Sequence, residues 1–252
     1  MKKIALVTGA TSGFGTAICR TLIQHGYAVI GTGRRAERLE ALAQSFGEAF
    51  FPLAFDLSKR QQIEEALQHL PPAWQAIDLL VNNAGLALGL DPADQGNLDD
   101  WEQMIDTNIK GLVVITRLVL PQMVARNQGH IINMGSIAGT YPYPGGHIYG
   151  GTKAFVKQFS LNLRADLAGR AIRVTNIEPG LCGGTEFSNV RFKGDDERAA
   201  KVYENVQFIT PEDIANIVLW ANQQPPHVNI NRIEVMPVAQ SSAPLNVAKN
   251  GQ

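Results

Sequence analysis

The stretch Ile4-Ala-Leu-Val-Thr-Gly-Ala-Thr-Ser-Gly-Phe-Gly15 joins a short β-prone apolar run to a glycine-rich turn. Apolar residues at helical spacing follow it directly, so the sequence predicts a strand, a turn and a helix in this order. Glycines let a backbone approach a pyrophosphate closely, and the free N–H groups at a helix start favour negative charge. The turn is therefore a predicted dinucleotide phosphate site. Its residues are Gly9, Ala10, Thr11, Ser12, Gly13, Phe14 and Gly15.

Strands and helices alternate along the rest of the 252 residues, with no internal repeat and no linker. The other predicted strands are 28–32, 50–57, 77–81, 130–136, 172–177 and 231–236. This pattern predicts one α/β domain over residues 1–252, a doubly wound Rossmann-type fold with a mostly parallel seven-stranded sheet and helices on both faces. Ligands bind such sheets at the carboxyl ends of the strands.

The composition restricts the class of protein. Apolar residues make up 45% of the chain, charged residues 18%, and the formal net charge is −1, which suits a soluble globular domain and indicates no surface for nucleic acid. Lys110 and Arg117 interrupt the longest apolar stretches, which fall short of the ~18 apolar residues that a membrane helix needs. The apolar run near the first residue is too short for a signal peptide. We expect a cytoplasmic protein with no membrane partner.

The cysteines indicate neither a disulfide nor a metal site. Cys19 and Cys182 lie in segments of different character, without C-x-x-C spacing and without a nearby histidine cluster. A structural metal site or a redox motif would need such spacing. We expect Cys182 to serve only in packing.

Two arginines after the second predicted strand indicate which dinucleotide binds. Arg34 and Arg35 stand about twenty residues beyond the glycine turn, where an acidic side chain would bind the ribose 2′-hydroxyl of NAD and an arginine would accommodate the 2′-phosphate of NADP. No carboxylate stands beside them, so the sequence favours NADP(H). The alternative is that both arginines only begin the next helix in contact with solvent.

Other predicted strands also end in polar or small residues. Asp56 and Leu57 end the third strand, where the Asp56 carboxylate can accept a hydrogen bond from adenine or, like Ser58, cap the following helix. Because the carboxyl ends of parallel strands meet at one edge, we expect these residues to line the cofactor cleft with those that end the fourth and sixth strands. The latter are Asn83, Ala84, Gly85, Pro179 and Gly180.

Tyr149 and Lys153 are four residues apart, so on a helix their side chains lie on one face. An ammonium beside a phenol favours the phenolate and lowers its pKa from about 10, which suits general acid/base catalysis. Ser136, at the end of the fifth predicted strand, can bind an oxygen held beside Tyr149. The alternative is a packed aromatic and a solvated lysine. We favour catalysis because the other motifs converge on the same edge of the sheet.

Two helices flank this site. The first, predicted over 98–125, holds Asn108 in its middle, where asparagine is locally unfavourable. We expect this side chain to carry either a structural hydrogen bond or a water in a proton relay. The second carries Tyr149 and runs to about residue 167, with Phe155, Phe159 and Leu163 spaced for burial.

The periodicity weakens over residues 181–209, a stretch that is too long for an ordinary connection and is typical of a substrate lid. Thr210, Pro211 and Asp213 then predict a clear helix start, with a threonine cap, a proline in the first turn and an acid three residues on. A polar tail begins at Gln240. We expect it either to be disordered or to reach a neighbouring subunit.

Several of these motifs together resemble the short-chain dehydrogenase/reductase family. They are Thr8-Gly-Ala-Thr-Ser-Gly-Phe-Gly15, Asn82-Asn-Ala-Gly85, Asn108, Ser136, Tyr149-x-x-x-Lys153 and Pro179-Gly180. The resemblance covers essentially the whole chain and implies that Tyr149 exchanges a proton with the substrate oxygen. Lys153 would then lower the pKa of the tyrosine and hold the nicotinamide ribose. Ser136 would orient the substrate, and Asn108 would anchor a water in the proton path.

The same resemblance has implications for the lid and for assembly. Thr185, with Phe187 beside it, would bind the nicotinamide carboxamide, and the hydride transfer would belong to NADP(H). The chain would form a homotetramer, with the long helices near Asn108 and Tyr149 buried between subunits.

A narrower resemblance concerns the substrate. The stretches 83–89, 179–195 and 226–231 are similar to those of the bacterial NADP-dependent 3-hydroxy acid dehydrogenases, which include malonic semialdehyde reductases and dehydrogenases of serine and allo-threonine. This group overlaps with the sulfoacetaldehyde reductases. Malonic semialdehyde and sulfoacetaldehyde both carry an aldehyde one methylene from an anion. We expect either a 3-hydroxy acid dehydrogenase or a reductase that forms isethionate.

A small anionic substrate needs a cationic partner. Arg191 in the lid is the first candidate, because a guanidinium can bind a carboxylate or a sulfonate with two parallel hydrogen bonds. Lys193 is the second candidate, and the alternative is a lid arginine in solvent. Tyr143 and His147 are predicted to line the same pocket, although His147 suits a simple helix start equally well.

Two other classes of function remain at this point. A non-enzymatic dinucleotide sensor would keep the glycine turn but would have no need for Asn108, Ser136, Tyr149 and Lys153 together. A 3-oxoacyl reductase for an acyl group on an acidic carrier protein would need a basic patch beside the cleft. The near-neutral composition does not indicate such a patch.

Overall fold

Seven parallel strands form the centre of the molecule. The structure is a computed structural model, and it describes residues 2–242. The strands pair in the order β3-β2-β1-β4-β5-β6-β7, and every pair is parallel. They are β1 (Ile4–Val7), β2 (Ala28–Gly33), β3 (Phe50–Ala54), β4 (Ile77–Asn82), β5 (Gly129–Met134), β6 (Ile172–Pro179) and β7 (Arg232–Val235). The predicted doubly wound α/β fold is confirmed.

Helices cover both faces of this sheet. They are α1 (Gly13–Gln24), α2 (Ala36–Phe46), α3 (Arg60–Gln68), α4 (Leu98–Ile105), α5 (Leu112–Arg126), α6 (His147–Asp166), α7 (Phe187–Arg191), α8 (Asp196–Lys201) and α9 (Pro211–Gln223). One apolar core joins α1, α2 and α9 to one face, and a second joins α3, α5 and α6 to the other. Strands β1 to β6 each contribute to both cores, because successive side chains point to opposite faces. In β1, Ala5 and Val7 lie in the first core and Ile4 and Leu6 in the second.

The order of the strands determines where a ligand can enter. The chain winds outward from β1 through β2 to β3 and then returns to β4, which pairs with the other side of β1. A crevice opens at such a switch point, outside the carboxyl ends of the strands. The glycine turn after β1 and the Asn83–Gly85 turn after β4 lie on either side of it.

The long helix predicted over 98–125 is interrupted. Residues 106–111, between α4 and α5, form a π-helical segment, and Asn108 is buried within it. π-Helical turns inside α-helices occur frequently at functional sites, and the side-chain bonds of Asn108 favour this one. By length and composition alone, Leu98–Arg126 could cross a membrane; its most apolar window has a mean hydropathy of 1.3 and is 39% buried.

Two predictions about local packing need correction. Phe155 is 37% exposed, because the side of α6 that faces the sheet carries Val156, Ser160 and Leu163 instead. Neither Asp56 nor Ser58 caps a helix. The Asp56 carboxylate accepts a hydrogen bond from the Ser58 N–H within the turn (2.9 Å), and α3 begins later, at Arg60.

The segment 181–209 contains α7 and α8, and its two ends lie side by side. Its ends meet at Cys182 and Ile209, where the Gly183 N–H donates to the Ile209 carbonyl (3.1 Å). α9 then begins as predicted: Thr210 and Asp213 form a reciprocal capping box, with a proline in the first turn. The polar tail predicted from Gln240 lies largely outside the described residues.

Candidate active site

The predicted site residues meet around one cleft of about 840 Å³ at the carboxyl edge of the sheet. Most residues predicted for the cofactor line it: Gly9, Thr11, Ser12, Gly13, Phe14, Arg34, Arg35, Asp56, Leu57, Asn83, Ala84, Gly85, Tyr149, Lys153, Pro179, Gly180, Thr185 and Phe187. Ser136, Tyr143 and Arg191 line it as well. Ala10, Gly15 and Asn108 are buried behind its wall, and His147 lies outside it.

The glycine turn is built to bring backbone close to a ligand. Gly9 has a φ of +68°, a conformation that side chains disfavour. A Cβ on Gly15 would lie 2.0 Å from the Gly9 carbonyl oxygen, so the first turn of α1 packs directly on the loop. The Asn83 amide donates to the Thr8 carbonyl (2.9 Å) and joins the ends of β1 and β4. Together with the N-terminus of α1, this cradle fits a dinucleotide pyrophosphate.

The two predicted arginines have different environments. Arg34 is exposed in the cleft, and among residues 2–242 it has no hydrogen-bond or ion-pair partner. Arg35 donates to the Thr11 carbonyl (3.0 Å) and to the Glu186 carboxylate (2.8 Å). Arg34 is therefore the guanidinium that remains available to a phosphate. Arg35 supports the wall of the cleft.

Tyr149, Lys153 and Ser136 lie together, as predicted from their spacing. The Lys153 ammonium lies 5.7 Å from the centre of the Tyr149 ring and donates to the Met134 carbonyl (2.7 Å). Ser136 follows β5, and its hydroxyl accepts a hydrogen bond from the Ala138 N–H (3.1 Å). Tyr149 and Lys153 are 9% and 6% exposed. The lysine is thus held in place and is not a solvated surface side chain.

The expected direction of the Tyr149 pKa needs correction for the chain alone. Burial raises the pKa of the phenol well above its ordinary value, and the Ser136 hydroxyl and the Arg191 charge lower it only in part. Burial also lowers the pKa of Lys153 to about 8. Desolvation has a larger effect on these pKa values than the neighbouring groups have, because the pair is buried. Burial disfavours both charged forms, the phenolate and the ammonium.

Asn108 makes the structural hydrogen bonds that were one of its two expected roles. Its side chain accepts from the Leu86 N–H (2.9 Å) and donates to the Leu86 carbonyl (2.8 Å). It also donates to the Thr152 hydroxyl (3.1 Å), which in turn donates to the Tyr149 carbonyl (2.8 Å). Asn108 thus joins the loop after β4 to the first turns of α6. A water in a proton relay stays a prediction.

Arg191 lies over the ring of Tyr149. Its guanidinium carbon is 5.8 Å from the centre of the Tyr149 ring, and its Nη2 donates to the Tyr143 hydroxyl (2.7 Å). Arg191 and Gly89 exchange two hydrogen bonds, from Nε to the Gly89 carbonyl (3.3 Å) and from the Gly89 N–H to the Arg191 carbonyl (3.0 Å). The alternative of an arginine merely in solvent is therefore excluded for this conformation.

Two other predicted substrate contacts are not found. His147 is exposed; its ring lies 4.9 Å from the Trp101 ring and its Nε2 is 3.1 Å from the Asp91 carbonyl oxygen. It has the alternative role of a helix-start residue. Lys193 forms an ion pair with Asp100 (2.8 Å) and does not line the cleft.

Sequence reasoning missed Glu186, whose carboxylate binds both Arg35 and Arg38. Its position beside Thr185 was the one available signal. That signal was weak, because a charged residue at the edge of a lid usually faces solvent. It also missed Gln240, whose side-chain oxygen accepts from the Leu181 N–H (2.7 Å).

Cys182 packs against the core that contains α1 and α9, and burial raises the pKa of its thiol to about 12.

Known proteins match nearly the whole length of the chain. A probable NADP-dependent dehydrogenase of Haemophilus influenzae is 73% identical over 245 residues, which are 97% of each chain. The NADP-dependent 3-hydroxy acid dehydrogenase YdfG of Escherichia coli is 61% identical over 97% of this chain and 98% of that protein. A solved structure, the closed form of serine dehydrogenase complexed with NADP+, has a TM-score of 0.97, is 60% identical and covers 98% of this chain and 100% of its own.

The family model of the short chain dehydrogenases matches residues 3–196. This match includes β1 to β6 and the residues Ser136, Tyr149 and Lys153. The chain belongs to the short-chain dehydrogenase family.

Proposed function

We propose that this chain is an NADP(H)-dependent oxidoreductase that interconverts a small anionic β-hydroxy compound and its aldehyde or ketone, of the 3-hydroxy acid dehydrogenase and malonic semialdehyde reductase type. The observation that carries the substrate class is the Arg191 guanidinium above Tyr149, in the same cleft as Ser136. The relatives support the cofactor and the reaction, because they are NADP-dependent dehydrogenases, among them a 3-hydroxy acid dehydrogenase.

The residues of the cleft suit NADP in particular. The glycine turn would take the pyrophosphate, and Arg34 would take the 2′-phosphate as a charge-assisted hydrogen-bond donor. Asp56 and Leu57 would lie by the adenine, Lys153 by the nicotinamide ribose, and Thr185 by the carboxamide. When bound, NADP(H) supplies the hydride chemistry.

The chain itself supplies the proton. Because burial raises the pKa of Tyr149, its phenol is protonated at neutral pH and can donate to a carbonyl oxygen during reduction. The Ser136 hydroxyl can hold the same oxygen. In the oxidative direction the phenol must first release its proton to solvent, and the Arg191 charge favours this release. The cleft therefore serves both directions, with Tyr149 as donor in one and acceptor in the other.

Arg191 would hold the anion of the substrate. Its Nε and one Nη2 proton are bound to Gly89 and Tyr143, so the guanidinium is oriented before the substrate arrives. Pre-organisation of this kind reduces the entropic cost of binding. The guanidinium suits a carboxylate, as in malonic semialdehyde or serine, and it can also bind the sulfonate of sulfoacetaldehyde.

The experiment that tests this function is the initial rate of NADPH oxidation with malonic semialdehyde and, in parallel, with sulfoacetaldehyde. We expect kcat/KM for the carboxylate to exceed that for the sulfonate by about tenfold or more, since the ratio measures discrimination. The reverse preference would make the enzyme a sulfoacetaldehyde reductase that forms isethionate. NADPH binding without turnover of either aldehyde would favour a dinucleotide sensor or a carrier-linked 3-oxoacyl reductase.

We further propose that the enzyme is a cytoplasmic homotetramer. Leu98, Ile105, Phe155 and Leu161 on α4 and α6 are exposed large apolar side chains, and apolar patches of this kind mark contacts between proteins. Light scattering on the purified chain should give four times the mass of 27.4 kDa. A monomeric mass would contradict the assembly and leave the proposed reaction untouched.

A further inference from the structure

The carboxylate of Glu186 joins the lid to two arginines on the opposite wall of the cleft. Its Oε2 accepts from Arg35 Nη1 (2.8 Å) and its Oε1 from Arg38 Nη1 (2.7 Å). Each carboxylate oxygen therefore has its own guanidinium. The hydrogen bond from Arg38, and then that from Arg35, holds the pKa of Glu186 below its ordinary value, so the carboxylate is ionised at neutral pH.

A second contact binds the same part of the lid to the glycine turn. A Cβ on Gly13 would lie 2.7 Å from Cγ2 of Thr185, so the lid rests on the start of α1 where only a glycine leaves room. Arg35 adds to this contact, because it also donates to the Thr11 carbonyl (3.0 Å). Residues 185 and 186 thus lie across the cleft, above the turn proposed for the pyrophosphate.

The chemistry of this bridge differs from that of the rest of the lid. Arg191 and Gly89 attach the far side of the lid through two hydrogen bonds that involve backbone groups, whereas the near side depends on the ion pairs of Glu186 and on the contact of Thr185 with Gly13. Arg35, Arg38 and Glu186 are 40%, 51% and 43% exposed, so salt screens these pairs. A bridge of this strength can open and close during each catalytic cycle.

We propose that Glu186 is a positioning residue for the cofactor: through Arg35 and Arg38 it latches the lid over the adenosine end of the cleft, and this latch must open before NADP(H) can leave. The inference rests on the proposed function in one respect, the assignment of the glycine turn and of Arg34 to NADP(H). Glu186 acts through the two arginines and touches no reacting atom. It sets how long the cofactor stays bound and leaves the proton transfer at Tyr149 unchanged.

The test is the rate of NADPH release, measured by stopped-flow fluorescence when excess NADP displaces NADPH from the protein. Glu186→Gln should release NADPH about threefold to tenfold faster, the size expected for two partly exposed ion pairs on one carboxylate. Added salt should speed release more from the unaltered chain than from the variant, because the variant keeps only the salt-sensitive contacts of NADPH itself, such as that of its 2′-phosphate with Arg34. Glu197→Gln is the matched control, since within residues 2–242 Glu197 pairs only with Lys201 (2.7 Å) and both side chains are exposed.

A double-mutant cycle with Arg38→Gln separates the latch from general destabilisation. Arg38 contacts Glu186 and does not line the cleft. Arg38→Gln should therefore speed release by a smaller factor, because the pair of Arg35 with Glu186 remains, and it should add little to Glu186→Gln. Fully additive effects, or a release rate unchanged in Glu186→Gln, would overturn the inference while the proposed function stands. Failure of the unaltered chain to bind NADPH would overturn both.

Discussion

The edge of the sheet and the lid build their halves of the cleft in different ways. At the sheet edge, backbone and buried side chains fix the groups: the glycine turn excludes any Cβ at Gly15, and Lys153 is held by a strand carbonyl. The lid reaches the same cleft through the half-exposed charges of Glu186 and Arg191. From this difference we infer that the sheet edge determines the reaction, whereas the lid determines which molecules stay bound.

The largest expected effect lies on the sheet edge, at the phenol. Tyr149→Phe removes the proton donor but keeps the ring that packs on Phe187 (5.7 Å between ring centres). We expect kcat to fall by about 10²- to 10⁴-fold, the usual contribution of general acid/base catalysis, with NADPH binding unchanged. Steady-state rates and NADPH fluorescence titration measure the two quantities. Full turnover in this variant would contradict the acid/base role.

The next largest effect concerns recognition of the 2′-phosphate by Arg34, which is separate from the Glu186 latch. Arg34→Ala should weaken NADPH binding by about 10- to 100-fold, since hydrogen bonds to charged groups are worth about 1.5–3 kcal/mol, and should leave NADH binding nearly unchanged. Fluorescence titration with both cofactors gives the ratio. Arg60→Ala is a control arginine, because Arg60 lies on α3 in an exposed pair with Glu64. Equal losses for NADPH and NADH would place the 2′-phosphate elsewhere.

A single methyl group added in the glycine turn should lower the stability of the fold. Gly15→Ala places a Cβ 2.0 Å from a backbone oxygen, and overpacking of this kind costs about 1–3 kcal/mol. Gly151→Ala is the matched control. This glycine lies in α6, and in the described part of the chain an added Cβ would meet no atom within 4 Å beyond its own helix backbone and chain neighbours, so the change should raise the free energy of unfolding by about 0.5–1 kcal/mol. Chemical denaturation measures both. A neutral Gly15→Ala would refute the rigid turn.

The smallest expected effect is the pH dependence of stability at Lys153. Its folded pKa is about 8, lowered from 10.5 by burial, so the folded state resists the charged form. The resulting penalty is complete below pH 8 and is lost as the pH rises towards 10.5. Relative to Lys153→Met, the unaltered chain should therefore gain about 1 kcal/mol between pH 7 and pH 9. Thermal unfolding at the two pH values tests this, and a constant difference would contradict the shift.

The same comparison shows what the sequence could predict. The mostly parallel seven-stranded sheet and the cluster of Ser136, Tyr149 and Lys153 follow from strand periodicity and from the rule that ligands bind at the carboxyl ends of parallel strands. These features depend on local patterns, and the predicted fold is confirmed. The direction of the Tyr149 pKa could not be predicted in this way, because it depends on how deeply the helix packs.

Predictions for the lid were less accurate, because its exposed side chains contact residues that are distant in sequence. Lys193 pairs with Asp100 and His147 packs on Trp101, and no local pattern indicates either contact. Arg191 was identified because a small anion requires a guanidinium, which is a chemical argument. The family and its NADP-dependent reaction are confirmed by relatives that cover nearly the whole chain.

The measurement that tests the central claim most directly is kcat/KM with NADPH for malonic semialdehyde and for propanal, its uncharged counterpart, in the unaltered chain and in Arg191→Ala. We predict a preference of about 100-fold for the anion in the unaltered chain, which an oriented charge-assisted pair can supply, and a preference near one in the variant. Lys193→Ala should keep the full preference. An unaltered chain that reduces both aldehydes equally well would contradict the assignment of an anionic substrate.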